Sequence, residues 1–277
     1  MNLDDLYNRE KASLRDLTRN DPVEFLYRYV RTEDAEVAGF LGSQFAYGRI
    51  EVFKRFLARL FEIMGPSPSE FIVQGDFAAF EGLYYRFQKN EYIVDLFGVL
   101  KRIVDRYGGI GPMVQRFYQG DVRAVLWRVR RELLGEDGKR LTFFFPKPSR
   151  ANPLKRWNLY LRWMVRKDEI DAGFWDFVPR DRLIIPLDTH IFKIGRCFGW
   201  TKQGSPSWKA ACDITEVLRG FSPEDPLKYD FFLCHKVGIG AGCRGARTPE
   251  CIRNCMLLMD LEGEEKANAG QRMENVS

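Results

Sequence analysis

Three kinds of residue in this chain can do covalent or metal chemistry, and the spacing around each limits what that chemistry is. The first is an amine. In "NPLKRWNLYLRWMVRK", Asn152 reads as an N-cap and Pro153 as the first helical residue, which sets Lys155 in the first turn of a helix. An amine attacks carbon only when deprotonated, and the positive end of a helix dipole with neighbouring guanidiniums disfavours the protonated form. On this helix Leu154, Trp157, Tyr160, Leu161 and Met164 share one side. Lys155, Arg162 and Arg166 fall within about 40° of one another on the other side, a stripe that reads either as a solvated basic face or as a contact to phosphates.

The second is a carboxylate. "RLIIPLD" ends in Asp188, and "THIFKIGRCFGW" continues with Ile191, Ile194 and Phe198 at helical spacing. As an N-cap, Asp188 accepts backbone N–H bonds and stabilises the helix by about 1 kcal/mol. The same placement orients a carboxylate toward a developing cation, so capping and chemistry are compatible. His190 follows it and reads as an orienting or packing residue, since the chain has only two histidines.

The third is a group of thiols. Of six cysteines, four crowd into "CHKVGIGAGCRGARTPECIRNC" as Cys234, Cys243, Cys251 and Cys255, while Cys197 and Cys212 stand apart. That clustering suits a metal site better than a disulfide framework.

The elements that must position these groups are helices. Helical spacing dominates and alternation is scarce, which predicts an all-α fold with helices near 2–18, 22–30, 33–46, 49–64, 68–74, 76–88, 91–106, 110–118, 121–134, 153–167, 171–177, 189–198, 207–219 and 226–237. The irregular stretch "GEDGKRLTFFFPKPSRANP" separates the N-terminal half from the lysine helix. With 277 residues, 45% of them hydrophobic, the chain can bury a sizeable core, and no apolar run approaches the length that spans a bilayer. No membrane association is expected. The polar, acidic first residues lack the pattern of a secretory leader, so a cytoplasmic location is expected. Lys and Arg exceed Asp and Glu by 43 to 38, and acids concentrate in a loose tail, 261–277. A positive body suits a polyanionic partner.

Taken together, the segments resemble the helix-hairpin-helix DNA glycosylases of the endonuclease III and archaeal 8-oxoguanine glycosylase type, as a distant bacterial branch. "PLDTHIFKIGRCFGW" is similar to the segment that carries their catalytic aspartate, matching Asp188. "KRWNLYL" is similar to the helix that carries their Schiff-base lysine, matching Lys155. "AEVAGFLGSQFAYGR" resembles the helix whose glutamine reaches into the duplex, matching Gln44. Cys243, Cys251 and Cys255 stand where many members hold an iron–sulfur cluster.

The resemblance implies a two-lobed helical unit over 1–260, with about 1–32 and 199–260 in one lobe and 33–198 in the other, and the site in the cleft between them. It implies a monomeric, nucleoid-associated DNA-repair glycosylase with AP-lyase activity on lesion-containing duplex DNA. Lys155 and Asp188 would be catalytic, with Gln44, Arg162 and Arg166 contacting DNA.

The departures are equally specific. The Gly-rich hairpin expected before the lysine is replaced by "FFFPKPSRANPLK", which has no glycine, and "RKDEIDAGFWDFVPRDR" is inserted before Asp188. Its Phe174, Trp175 and Phe177 line a base pocket or join the core. The cysteines are spaced C-x8-C-x7-C-x3-C rather than in the usual cluster pattern. Cys234 is then the fourth ligand of a [4Fe-4S] cluster, or the site takes zinc, or it takes no metal. A nucleic-acid-binding protein that kept the fold and lost the chemistry is the competing expectation.

Overall fold

The computed structural model describes residues 2–258, so the acidic tail lies outside the described residues. The first half of the chain forms α1 (Leu3–Leu17), α2 (Thr32–Phe45), α3 (Ile50–Met64), α4 (Pro68–Gln74), α5 (Asn90–Tyr107), α6 (Ile110–Phe117) and α7 (Val122–Val129). The second half forms α8 (Lys155–Val165), α9 (Thr189–Cys197), α10 (Trp208–Phe221), α11 (Asp230–Phe232), which runs into a π-helical turn at Leu233–Gly240, and α12 (Pro249–Asn254). The described residues form no strand beyond the single bridges Tyr85 to Gln88 and Lys167 to Ala172, and the fold class is all-α.

Helix α2 is the centre. Every residue from Asp34 to Phe45 is buried, as expected of a helix that is apolar nearly all round and must be covered on every side. Gly39 allows α8 to cross it closely, because a Cβ there would lie 2.9 Å from Leu26 and 3.3 Å from Tyr160. Tyr160 then donates its hydroxyl to the carbonyl of Glu36 at 3.0 Å. The other end of the chain closes on α1, where Tyr7 meets Tyr229 and Phe232 edge to face.

Two predicted helices are absent for identifiable reasons. In place of 171–177 the chain turns back on α8. The backbone N–H groups of Ala172 and Gly173 go to the carbonyl of Trp163, and that of Trp175 to Met164, so they cap α8 instead of extending a helix. In place of 76–88 only a 3-10 turn forms at Phe77–Phe80, after which Gly82 and Arg86 take positive φ and Tyr85 and Gln88 exchange backbone bonds. Helix α12 was not anticipated; Thr248 caps it and Pro249 begins it.

Candidate active site

Asp188 is held from both sides. Leu183, Ile185 and Leu187 bury the extended segment that leads to it, and the N–H of Ile185 donates to Thr215 Oγ1 on α10 at 3.0 Å. The carboxylate then caps α9, accepting from the N–H of Ile191 at 2.8 Å through Oδ1. Its second oxygen is turned away from the helix and accepts from the thiol of Cys234 at 3.4 Å.

Lys155 stands at the start of α8, near enough for its charge to act on the same thiol. The helix begins two residues later than Asn152 suggests, because Asn152 Oδ1 accepts from the N–H of Leu154 at 2.9 Å, and Leu154 takes a left-handed conformation at φ 54°. Such a conformation costs a non-glycine residue about 1 kcal/mol and persists only where its surroundings impose it. Here the Leu154 side chain is buried and Asn158 ties down the carbonyl of Pro153 at 3.0 Å. The result sets Lys155 as the first helical residue, half-buried.

The Cys234 thiol records the convergence. Burial pushes it well above the ordinary thiol range, the charges of Asp188 and Asp230 add to this, and the ammonium of Lys155 opposes it. Residues 33 apart in sequence, Lys155 and Asp188, thus act on one sulfur. The π-helical turn carrying that sulfur lies flat on α9 because Gly238 has no side chain; a Cβ there would come within 2.6 Å of His190. His190 is therefore a packing residue against this turn.

The cationic stripe of α8 faces inward, which corrects the expectation that Arg162 and Arg166 contact phosphates. Each is about 3% exposed. Arg162 pairs with Asp171 at 3.1 Å and with Asp230 at 2.5 Å. Arg166 pairs with Asp168 and Asp225, both at 2.8 Å, and with Asp171. Burial works against each charge, but the carboxylates more than offset it and hold both guanidiniums above their ordinary range. The seam joins α8 to α11, immediately before Cys234.

Gln44 also departs from expectation. Its side chain is fully buried at the end of α2, with its amide nitrogen 3.4 Å from Ser43 Oγ, and it extends into no groove. Trp175 belongs to the core, donating its indole N–H to Glu36 at 2.8 Å, while Phe174 and Phe177 pack partly buried beside it.

The cysteines divide differently from the sequence reading. Cys243, Cys251 and Cys255 line one cavity of about 630 Å³. Cys234 stands instead against Asp188, and Cys197 lies at the last turn of α9, near enough for the charges of Cys243 and Cys255 to act on it. Burial raises the Cys197 thiol, and the thiols of Cys243 and Cys255 raise it further, while Arg247 opposes them. Burial likewise raises Cys251, with contributions from Cys255, Cys197 and Cys243. The loop is pressed onto α9: Arg247 donates to the Cys197 carbonyl at 3.1 Å, and a Cβ on Gly245 would come within 2.9 Å of Lys193. Among the described residues no three His, Cys, Asp or Glu side chains are grouped so as to hold a metal ion. Thiolates are the donor type that zinc ions and iron–sulfur clusters both take.

A protein-family model described as "Protein of unknown function (DUF2400)" matches residues 21–239, and the chain belongs to that family. The matched span contains Lys155, Asp188, Cys197 and Cys234 and ends before Cys243. No curated protein and no solved structure matches the chain.

Proposed function

We propose that this protein is a DNA-repair glycosylase with AP-lyase activity that acts on a damaged, oxidised base in duplex DNA. The observation that carries the reading is that Asp188, capping α9, accepts from the Cys234 thiol at 3.4 Å while Lys155, first residue of α8, lies within reach of that thiol's electrostatics, two groups with complementary chemistry positioned by separate helices. A base inside a duplex must be flipped out before its glycosidic bond is reached. The amine of Lys155, in its deprotonated form, attacks C1′ of the sugar. The C1′–N bond breaks and its electron pair leaves with the base, which takes a proton. Asp188 stabilises the cationic sugar and assists the proton transfers. The C1′–O4′ bond then breaks, O4′ taking a proton as the nitrogen lone pair forms the protonated imine between Lys155 and C1′; this makes the 2′ proton acidic, so β-elimination expels the 3′ phosphate and hydrolysis returns the amine.

Arg162 is a positioning residue in this scheme. By locking α8 to Asp230, it fixes Lys155 relative to Cys234 and Asp188.

We further propose that Cys197, Cys243, Cys251 and Cys255 hold a [4Fe-4S] cluster. The cluster would supply structural cross-linking between the loop 241–255 and α9, the helix that Asp188 caps, and no step of the reaction is assigned to it.

Borohydride trapping on duplexes carrying an abasic site or an oxidised base tests the main reading. A covalent adduct is expected with the wild type and none with Lys155→Ala; the absence of an adduct with wild type, or an undiminished one with the variant, would refute the Lys155 mechanism.

A further inference from the structure

A second cavity, of about 280 Å³, opens beside Lys155 and is walled by Tyr47, Phe143, Pro153 and Arg156. Arg156 is its unusual member. Its guanidinium lies 3.5 Å from the centroid of the Phe143 ring and donates to the backbone carbonyls of Gln44, at 3.3 Å, and Phe143. These bonds leave most of its five donors uncommitted. Arg162 and Arg166 have carboxylate partners, whereas no carboxylate among the described residues offsets the charge of Arg156, and burial pushes this guanidinium down to about 10.

A largely buried cation is ordinarily paired, and one without a counterion stands at a desolvation cost that an incoming anion offsets. Lys155 adds a second cation on the same wall. Asn152 adds an amide N–H₂, its oxygen being occupied by the N–H of Leu154. The polar groups facing the cavity are therefore donors suited to anionic oxygen. Beside them lie the Tyr47 and Phe143 rings, with centroids 5.0 Å apart; Arg156 covers part of Phe143, and the pair offers apolar surface next to the guanidinium.

We propose that this cavity binds a nucleotide phosphate, with Arg156 and Lys155 taking the anion and Tyr47 and Phe143 receiving the adjoining base or sugar. The phosphate belongs either to a DNA strand or to a free mononucleotide. The proposal rests on the glycosylase reading only in placing this nucleotide next to the lesion.

The test uses fluorescence anisotropy with a duplex carrying a tetrahydrofuran abasic-site analogue, and calorimetry with deoxyadenosine monophosphate. Arg156→Gln is expected to weaken duplex binding roughly tenfold and to lower the slope of log affinity against log salt by about one. Arg156-dependent binding of the duplex alone assigns the phosphate to a strand; Arg156-dependent binding of the mononucleotide alone assigns it to a free nucleotide. Unchanged affinity for both probes in a variant with native circular dichroism would overturn the proposal, as would absence of binding by the wild type. Because Arg156 also staples two backbone segments, the wild type supplies a second measurement. The duplex or the mononucleotide should slow phenylglyoxal modification of Arg156, read by peptide mass, and no slowing by either overturns the proposal. Binding that depends on Arg156 without any borohydride adduct would refute the glycosylase reading alone. Trapping through Lys155 that persists in Arg156→Gln, with binding unchanged, would refute the cavity alone.

Discussion

The two roles of Asp188 separate under substitution. In Asp188→Asn the side chain keeps a carbonyl oxygen able to accept from the N–H of Ile191, as Asp188 Oδ1 does at 2.8 Å. Asparagine caps helices about as well as aspartate, and the amide N–H₂ that replaces Oδ2 can donate to the Cys234 sulfur in place of accepting from it, so the loss is mainly the charge–dipole part, about 0.3–0.5 kcal/mol. Asp188→Ala removes the cap itself, about 1 kcal/mol, and takes the acceptor from the Cys234 thiol, about 0.5 kcal/mol more. For a chain of this size these correspond to a fall in Tm of about 1 °C for Asn and about 3 °C for Ala. Activity should move differently, because both variants lose the negative charge that, in the proposed mechanism, faces the cationic sugar. Base release in single-turnover assays is expected to drop by roughly a hundredfold or more in each. Thermal unfolding followed by circular dichroism, run beside the base-release assay, reads both quantities. Equal destabilisation by Asn and Ala would refute the capping account. Near-wild-type base release by Asp188→Asn would refute the assignment of the carboxylate to chemistry.

Arg162→Met leaves Asp171 and Asp230 without a shared partner in the core, and urea unfolding should show a loss of about 3–5 kcal/mol; a loss under about 1 kcal/mol would mean that the seam does not lock α8 to α11. Cys197→Ala should abolish bound iron and visible absorbance in anaerobically purified protein while Cys234→Ala retains both; the opposite pattern would restore Cys234 as the ligand. Burial raises the carboxyl of Glu36 above its ordinary range, although the N–H groups of Gly111 and Trp175 oppose this. A carboxyl raised in the folded state contributes stability that is complete below its unfolded pKa and lost as pH rises through the folded value, so the Tm of Glu36→Gln relative to wild type should climb with pH from the ordinary glutamate range upward. A constant difference would refute the shift.

What could be read from sequence was local. An aspartate before an apolar periodic run is a cap signal complete within four residues, and Asp188 does cap α9 through Ile191. The all-buried course of α2 follows from its own composition. What failed depended on partners distant in the chain. Helical spacing in 171–177 was overridden by the carbonyls at the end of α8. Cys197 could not be recognised beside Cys243, because nothing in a spacing pattern connects residues on either side of a whole helix.

The stripe on α8 is the most instructive case. A helical wheel establishes that Lys155, Arg162 and Arg166 share a side but not what lies opposite, and opposite lie Asp171, Asp225 and Asp230, the last 68 residues from Arg162. The charges that resembled a grip on DNA are spent within the fold, where they tie α8 to Asp171, Asp225 and Asp230. Attraction for a phosphate near the candidate site must then come from a cation that the fold has left unmatched. Arg156, one residue beyond Lys155 and without a carboxylate among the described residues to offset it, is the cation the proposed cavity supplies.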